Sequence, residues 1–551
     1  MSHRKIVVVG GVAGGASAAA KARREDEHAE ITVLERGPYI SFANCGLPYY
    51  IAGEIKNRDK LLIMTPEKFE DKYNVNVKVN HEVVLIDRAN KSVEVCQKDT
   101  GERFWLKYDK LILSQGAQPL RPPIPGIEQD HVFTLRDIND MDRIDGYISA
   151  NKPKSAVVIG GGFIGLEMAE AFAKRKLDVH LVEFAPHVLP QIDEPLAKEF
   201  QNRITQHGLN LYTSKKAVSI DATQVELDDG SKVPADLVLV SAGVRPEVEL
   251  AKKAGLDIGV TGGVKVNARL QTSDSDIFAV GDAAETLHQL TGQRVRMALA
   301  GPANRQGRIA GANAVGCHLA YKGSLGTAIV RYEDTTVAMV GINSLQAEKL
   351  GYSFHTSTTR DSSHAGYYPG AEMMVIRLLV EDGSGRIMGA QIMGGDGVDK
   401  RADVLATAIY SRLSVFDLEN LDLSYAPPFG SAQDPVNTAG FVASHIVKGE
   451  VNTYIPSAES KLDEAYVMDV REPAELEKFG RLKGAVNIPL SQIRRSLSKI
   501  PKDKDVIVYC QKGLRGYVAT KILQGHGYER ASNLMGGFLM AMSVGMEVEA
   551  S

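Results

Sequence analysis

Cysteine is scarce in this sequence: four of 551 residues, at positions 45, 96, 317 and 510. Four thiols so far apart make neither a disulfide scaffold nor the paired spacing of a zinc site, so cysteine chemistry is expected to be catalytic and the setting cytoplasmic, with no metal. Basic blocks with interleaved aromatics are also missing, and the formal net charge is −4, which argues against nucleic acid as a partner. No apolar run reaches the length of a membrane span, so no membrane is expected. The chain passes from Met1-Ser2-His3-Arg4-Lys5 straight into a β-like run, which leaves no room for a signal peptide. At this length one core does not suffice, and two to four domains are expected.

Glycine is present where it has a purpose. The β-branched run at 5–9 enters Gly10-Gly11-Val12-Ala13-Gly14-Gly15, an alanine-rich helical pattern continues to about residue 26, and a second run, Ile31 to Leu34, ends at Glu35. Glycines let a backbone approach a pyrophosphate at a helix start, and a carboxylate closing the second strand takes ribose hydroxyls. A generic α/β turn is the alternative. The device returns in strict form: the strand Ala156 to Ile159, then Gly160, Gly162 and Gly165 in the G-x-G-x-x-G pattern, then a helix and a strand ending at Glu183. Two such units point to two dinucleotides. Glu183 repels a 2′-phosphate, which favours NADH over NADPH.

Two further strand-to-glycine turns, at Gly116 and Gly243, mark where the chain crosses between domains, and Asp282 stands at the carboxyl end of a strand, where open α/β sheets hold ligands. The expected organisation is one nucleotide domain from 1–118 and 247–325, a second from 150–246, an interface domain at 326–445, a linker at 446–460 and a last domain at 461–551.

Two cysteines stand in chemically suggestive places. Cys45 lies in Ser41-Phe42-Ala43-Asn44-Cys45-Gly46-Leu47-Pro48-Tyr49-Tyr50, just beyond the first nucleotide unit. Packing as a small hydrophobe is the alternative to redox chemistry. Cys510 follows the strand Val506 to Tyr509 and opens Cys510-Gln511-Lys512-Gly513-Leu514-Arg515-Gly516 before a helix expected at 517–523. Converging N–H groups with Lys512 and Arg515 would stabilise a thiolate or persulfide there, against the alternative of a core cysteine.

At this point residues 1 to about 445 resemble the pyridine nucleotide:disulfide oxidoreductases, specifically the coenzyme A-disulfide reductase group and its persulfide-reducing relatives. The resemblance rests on Ser41 to Tyr49, on Thr272-Ser273 through Asp282, and on Tyr425-Ala426-Pro427-Pro428-Phe429. Residues from about 460 resemble a rhodanese domain, through Asp469-Val470-Arg471 and the loop Cys510 to Arg515. The resemblance implies an α/β protein with two Rossmann-like dinucleotide-binding domains, an α+β dimerisation domain and a C-terminal α/β rhodanese domain.

It further implies FAD on Gly10, Gly11, Ala13, Gly14, Gly15, Glu35, Arg36, Asn44, Gly116 and Asp282, and NADH on Gly160, Gly162, Gly165, Glu183 and Gly243. Cys45 would be the redox cysteine, with Tyr367 and Tyr425 reaching it from the other subunit of a homodimer, and Cys510 would carry sulfane sulfur. Coenzyme A, as substrate or bound thiol, would meet Arg23 and Arg24 through its phosphates and Ser41 and Asn44 near its sulfur. Lys512 and Arg515 would hold the anionic sulfur donor.

Positions four and five beyond Cys45 are Tyr49 and Tyr50, so the second sulfur of the redox pair would come from a small-molecule thiol, persulfide or disulfide. Gln511 to Leu514 depart from the arginine- and threonine-rich loop of thiosulfate-specialised rhodaneses, which argues against thiosulfate as donor. An NADH oxidase or peroxidase using a Cys45 sulfenic acid, and a redox-sensing module without turnover, are the competing expectations.

Overall fold

The β-branched runs flanking each glycine turn become buried parallel strands, because every second residue and its neighbours are apolar and both faces are covered by helices. The structure is a computed structural model that describes residues 4–457, 459–460, 462 and 464–550. Ala458 of the expected linker, Lys461, Asp463 and Ser551 of the expected last domain, and Met1 to His3 lie outside the described residues. The chain forms two units, 1–184 with 209–326, and 185–208 with 327–551.

In the first unit a five-stranded parallel sheet runs in the order Ile277–Ala279, Lys110–Leu113, Lys5–Val9, Glu30–Leu34, Asn76–Lys78. It draws strands from before residue 114 and after residue 276, as a discontinuous domain must. A second parallel sheet is ordered Asn210–Thr213, Asp178–Glu183, Ser155–Ile159, Leu237–Val240, Val132–Phe133. Its central strands, Ser155–Ile159 and Leu237–Val240, are buried throughout. The turns at Gly116 and Gly243 feed Ala117–Pro119 and Val244–Pro246, which pair antiparallel and tie the two nucleotide domains together.

Three features add to the sequence-based expectation. His81–Asp87, Ser92–Gln97 and Arg103–Lys107 form an antiparallel meander within the first segment. Val132–Phe133 joins the second sheet from ahead of residue 150. Thr453–Tyr454, inside the expected linker, is an edge strand of the last sheet.

The second unit contains an antiparallel sheet ordered Ala328–Tyr332, Thr335–Gly341, Ile387–Gly394, Met373–Glu381, Phe354–Ser362, with the helices Val398–Tyr410 and Pro435–Val447 against it. Its other sheet is parallel: Thr453–Tyr454, Ala531–Leu534, Val506–Tyr509, Tyr466–Asp469, Val486–Asn487. Cys510 follows the central strand of that sheet directly. Among the described residues no helix is long and apolar enough to cross a membrane.

Candidate active site

The two glycine turns of the first unit are near copies. Gly10 adopts φ +95° and Gly160 φ +112°, and at each a side chain would meet a backbone oxygen at 2.3 Å, of Ser114 and of Ser241 respectively. At Gly15 and Gly165 a Cβ would fall 1.8 and 1.9 Å from the carbonyl oxygens of Gly10 and Gly160. Only glycine lets each helix start pack this closely on its strand. The carboxylates repeat as well. Gly11 N–H donates to Glu35 Oε2 at 2.8 Å, and Gly161 N–H donates to Glu183 Oε2 at 2.6 Å. Glu35 also accepts from Gly37 N–H at 2.8 Å, which fixes its head at the strand end.

The helices that follow, Ala13–Glu25 and Phe163–Lys174, begin without a side-chain cap and without an acidic residue in the first turn. Some helices of this unit are capped, Ile138–Asn151 by Asp137 and Pro66–Tyr73 by Thr65, while Ala300–Ala314 is not. An uncapped N-terminus with its N–H groups and dipole turned outward suits a pyrophosphate. At Gly162, Gly116 and Gly243 a Cβ would touch nothing within 4 Å, so these turns face open space. The residues present therefore fit one dinucleotide in each cradle. Asp282 sits half-buried in the turn Gly281–Ala283, and its carboxyl is raised by burial against the opposing pull of Arg136 and Arg296.

Cys45 occupies the single turn Asn44–Gly46 that leads into the short helix Leu47–Ile51. Its thiol is free and exposed. Asn44 Oδ1 accepts from the Cys45 N–H at 3.1 Å and lies 3.7 Å from Sγ. Just upstream, Ser41 is held at φ +44°, an uncommon conformation for serine, with its N–H donating to Gly11 O at 2.8 Å. This bond ties the cysteine segment to the first cradle. The surrounding protein pushes the thiol pKa up by desolvation, and the carboxyls of Glu167 and Asp282 push it further. Asp282 belongs to the first nucleotide domain and Glu167 to the second, so Cys45 feels both.

In the second unit Tyr367 and Tyr425 come together although 58 residues apart, their hydroxyls 3.2 Å from one another. Both rings are exposed, 78% and 49%, and the shared hydrogen bond raises the Tyr367 pKa. Cys510 is buried, and its Sγ accepts from Gly513 N–H at 3.2 Å. The loop is propped from below: Phe538 N–H donates to Cys510 O at 2.8 Å, and Arg471 donates to Gln511 Oε1 at 2.9 Å. Arg515 is held by Glu475 through two bonds of 2.7 Å, while Lys512 is exposed.

Residues 4–307 match the model for pyridine nucleotide-disulphide oxidoreductases, residues 327–434 the dimerisation domain of that family, and residues 456–540 the rhodanese-like domain. The chain belongs to the pyridine nucleotide-disulphide oxidoreductase family. Among solved structures of similar proteins, reduced Bacillus anthracis CoADR-RHD is 46% identical, with 99% of this chain and 98% of that one covered and a TM-score of 0.96. A NAD-dependent persulfide reductase from A. fulgidus is 36% identical over 97% of this chain and 99% of that one, with a TM-score of 0.92. Two curated relatives are each 34% identical: an NADH oxidase of Methanocaldococcus jannaschii, over 79% of this chain and 97% of its own length, and a coenzyme A disulfide reductase of Staphylococcus haemolyticus, over 80% and 99%.

One expectation drawn from the family resemblance meets a different geometry, and two other arginines prove to have protein partners. Arg23 is 6% exposed, and its guanidinium donates to the carbonyls of Tyr73, Asp26, Glu27, Ala29 and Asn74, so it locks the end of the first helix instead of facing a phosphate. Arg24, one residue on, is exposed. Arg36 pairs with Glu247 at 2.7 Å, in a cluster with Arg136. Arg515 pairs with Glu475 and also reaches the Cys510 thiol, so it stands at the rhodanese loop as expected. The sequence reading also passed over Glu167 and its partner Tyr49, whose hydroxyl donates to Glu167 Oε1 at 3.3 Å. Glu167 stands two residues beyond Gly165, so its place beside the second cradle was legible.

Proposed function

We propose that this chain is an FAD-dependent reductase that moves electrons from NADH, through Cys45, to coenzyme A disulfide or coenzyme A persulfide, with Cys510 as a carrier of sulfane sulfur. The observation that carries the reading is a lone, exposed cysteine tied to the first of two dinucleotide cradles, in a chain that also presents a second cysteine on a rhodanese loop. FAD bound on the first cradle would take the electron pair of NADH and supply it to the Cys45 sulfur.

The residues of the chain do the rest. The Cys45 thiolate attacks the coenzyme A-linked sulfur, the S–S bond breaks, and hydrosulfide or coenzyme A thiolate leaves with the bonding pair. Cys45 is then in mixed disulfide with coenzyme A. The paired hydroxyls of Tyr367 and Tyr425, exposed on a domain of dimerisation type, are suited to reach the partner subunit and donate to the departing thiolate. Glu183, held at its strand end by Gly161, favours NADH by repelling a 2′-phosphate.

An oxidase reading has the name of one curated relative behind it. It leaves the rhodanese domain without a purpose, whereas two matching structures that cover 99% and 97% of the chain span both parts. Rates of NADH consumption decide between them. The reductase reading expects fast anaerobic consumption with coenzyme A persulfide or disulfide and slow consumption with oxygen alone; the reverse order supports the oxidase.

Replacing the sulfur carrier gives a narrower result. Cys510→Ala is expected to leave the reduction of added coenzyme A persulfide within about twofold of the parent, since Cys45 is untouched. Sulfide release from a donor that must first load Cys510 should fall by about tenfold or more, as loss of a nucleophile predicts. Equal sulfide release from both kinds of donor would remove Cys510 from the sulfur path.

A further inference from the structure

We propose that Arg360, on the antiparallel sheet, is a positioning residue for sulfur transfer at Cys510: it holds the turn on which the Cys510 loop is moulded. The inference rests on the reading of Cys510 as a sulfur carrier and deepens it by naming what keeps that loop in shape. The mould is the stretch 535–539. Gly536 and Gly537 take φ +68° and +65°, and Gly537 lies so close beneath the loop that a Cβ there would fall 2.5 Å from Cys510 O and 2.8 Å from Gly513 N. The next two residues bond the loop through their backbone: Phe538 N–H donates to Cys510 O at 2.8 Å and Leu539 N–H to Gln511 O at 3.2 Å. The N–H that reaches the Cys510 sulfur, that of Gly513 at 3.2 Å, thus belongs to a loop whose floor is this turn.

The turn is fixed from outside the rhodanese domain. Phe354–Ser362 is the outermost strand of the antiparallel sheet, and an outer edge leaves N–H groups in need of acceptors. Thr358 N–H donates to Met535 Sδ at 3.2 Å. Two residues on, Arg360 Nε donates to Gly536 O at 3.4 Å, while Nη1 and Nη2 donate to the two carboxylate oxygens of Glu199 at 2.9 and 2.7 Å. The Arg360 side chain is 1% exposed. A planar fork held at both ends and shielded from water has one geometry. Glu199 is itself placed. It accepts from Arg203 at 3.2 Å, and its helix, Glu194–Gln206, packs on the helix Gly537–Ser543. Asp193, at the start of that helix, accepts from Arg377 and from the Ser344 hydroxyl, each at 2.7 Å. On the other flank of the loop, the Tyr517 hydroxyl lies 3.1 Å from His445 Nδ1 with the two rings stacked, which pins the helix Leu514–Gly525. The loop is therefore held at both ends by residues that precede its own domain.

The step this serves is a displacement in line. Cys510–S⁻ and a persulfide R–S–SH become Cys510–S–SH and R–S⁻: one S–S bond forms as one breaks, and the charge passes to the leaving thiolate. Alignment of the attacking sulfur decides its rate, since a misplacement of about 1 Å can cost about a hundredfold.

The test is thiocyanate formation by the full-length, flavin-loaded protein, with glutathione persulfide as donor and cyanide as acceptor. Cyanide takes the outer sulfur of Cys510–S–SH as thiocyanate and returns the thiolate and a proton. Arg360→Met combined with Glu199→Gln, which leaves no stranded charge, is expected to lower kcat about tenfold with the donor KM within about twofold, because Lys512 and Arg515 still meet the donor while the reacting atoms are misaligned. Met535→Leu keeps the volume and withdraws only the acceptor of Thr358 N–H; its kcat should fall about threefold, the worth of one weak hydrogen bond. NADH consumption with added coenzyme A persulfide should stay at the parent's rate in both. A role confined to stability would lower the melting temperature and leave kcat unchanged, so a parent-like kcat in both variants, measured well below their melting temperatures, would overturn the proposal. An equal loss of NADH consumption would overturn it too, by assigning Arg360 to the integrity of the whole chain. If the double variant does not fold, Met535→Leu decides alone. Failure of the carrier reading would appear instead as undiminished thiocyanate formation in a Cys510→Ala protein.

Discussion

Cys45→Ser is expected to lower turnover of coenzyme A disulfide and persulfide by about 10⁴-fold or more, the scale on which loss of a covalent nucleophile is felt. A hydroxyl cannot hold the mixed disulfide. Cys96 stands on the strand Ser92–Gln97 of the antiparallel meander, away from the Cys45 turn in sequence and in element, and Cys317 and Cys510 are likewise free. The nucleotide cradles do not use the Cys45 side chain: their glycines and the Glu35 and Glu183 carboxylates are built by backbone bonds. The variant should therefore purify yellow and bleach on addition of NADH at the parent's rate. Stopped-flow absorbance for bleaching and thiol release for turnover measure the two halves separately. A variant that keeps sulfur turnover would show that another group performs the exchange.

Arg471→Met is expected to destabilise the rhodanese domain by about 3–5 kcal/mol, the range for breaking a buried ion pair from one side. Arg471 and Asp469 are both 0% exposed, joined at 2.6 Å and 3.0 Å, and the guanidinium also donates to Gly480 O at 2.7 Å. It lies 4.1 Å above the ring of Phe538, the residue whose N–H holds Cys510 O. With the arginine gone, Asp469 keeps a desolvated charge, Gln511 loses its donor, and the ring loses the cation on its face. For a domain near 90 residues, whose total stability is about 5–15 kcal/mol, such a loss lowers the melting temperature by about 15 °C or more. Asp469→Asn combined with Arg471→Met should recover part of it, because the stranded charge is removed as well. A single variant melting with the parent would contradict the assignment of this pair as the support of the loop.

Much of this architecture was legible because it is local. A glycine turn between strand and helix, a carboxylate at the end of the next strand and a cysteine between strand and helix are patterns of local spacing, even though the close backbone approaches at Gly10 and Gly160 are to Ser114 and Ser241. The strands Thr335–Gly341, Met373–Glu381 and Ile387–Gly394 are likewise apolar runs between turns. What escaped the sequence depends on contacts made across it. Arg23 has the composition of a surface cation, yet carbonyls from residues 26 to 29 and from Tyr73 and Asn74 gather around it once the first sheet folds. Glu167 meets Tyr49 across 118 positions. Val132–Phe133 and Thr453–Tyr454 are two-residue strands, too short to leave a periodic pattern, and only pairing with Leu237–Val240 and Ala531–Leu534 defines them. The charged groups of the rhodanese loop were visible as residues, but the commitment of Arg515 to Glu475 was not, since 40 positions separate them.

The claim at the centre of this account is that the second sulfur of the redox pair comes from the substrate. Its most direct measurement is peptide mass spectrometry of the oxidised protein after exposure to coenzyme A disulfide without NADH. The account predicts one coenzyme A per chain, in disulfide linkage to Cys45 and released by NADH; a disulfide joining Cys45 to another cysteine of the chain, or a Cys45 that remains unmodified, would contradict it.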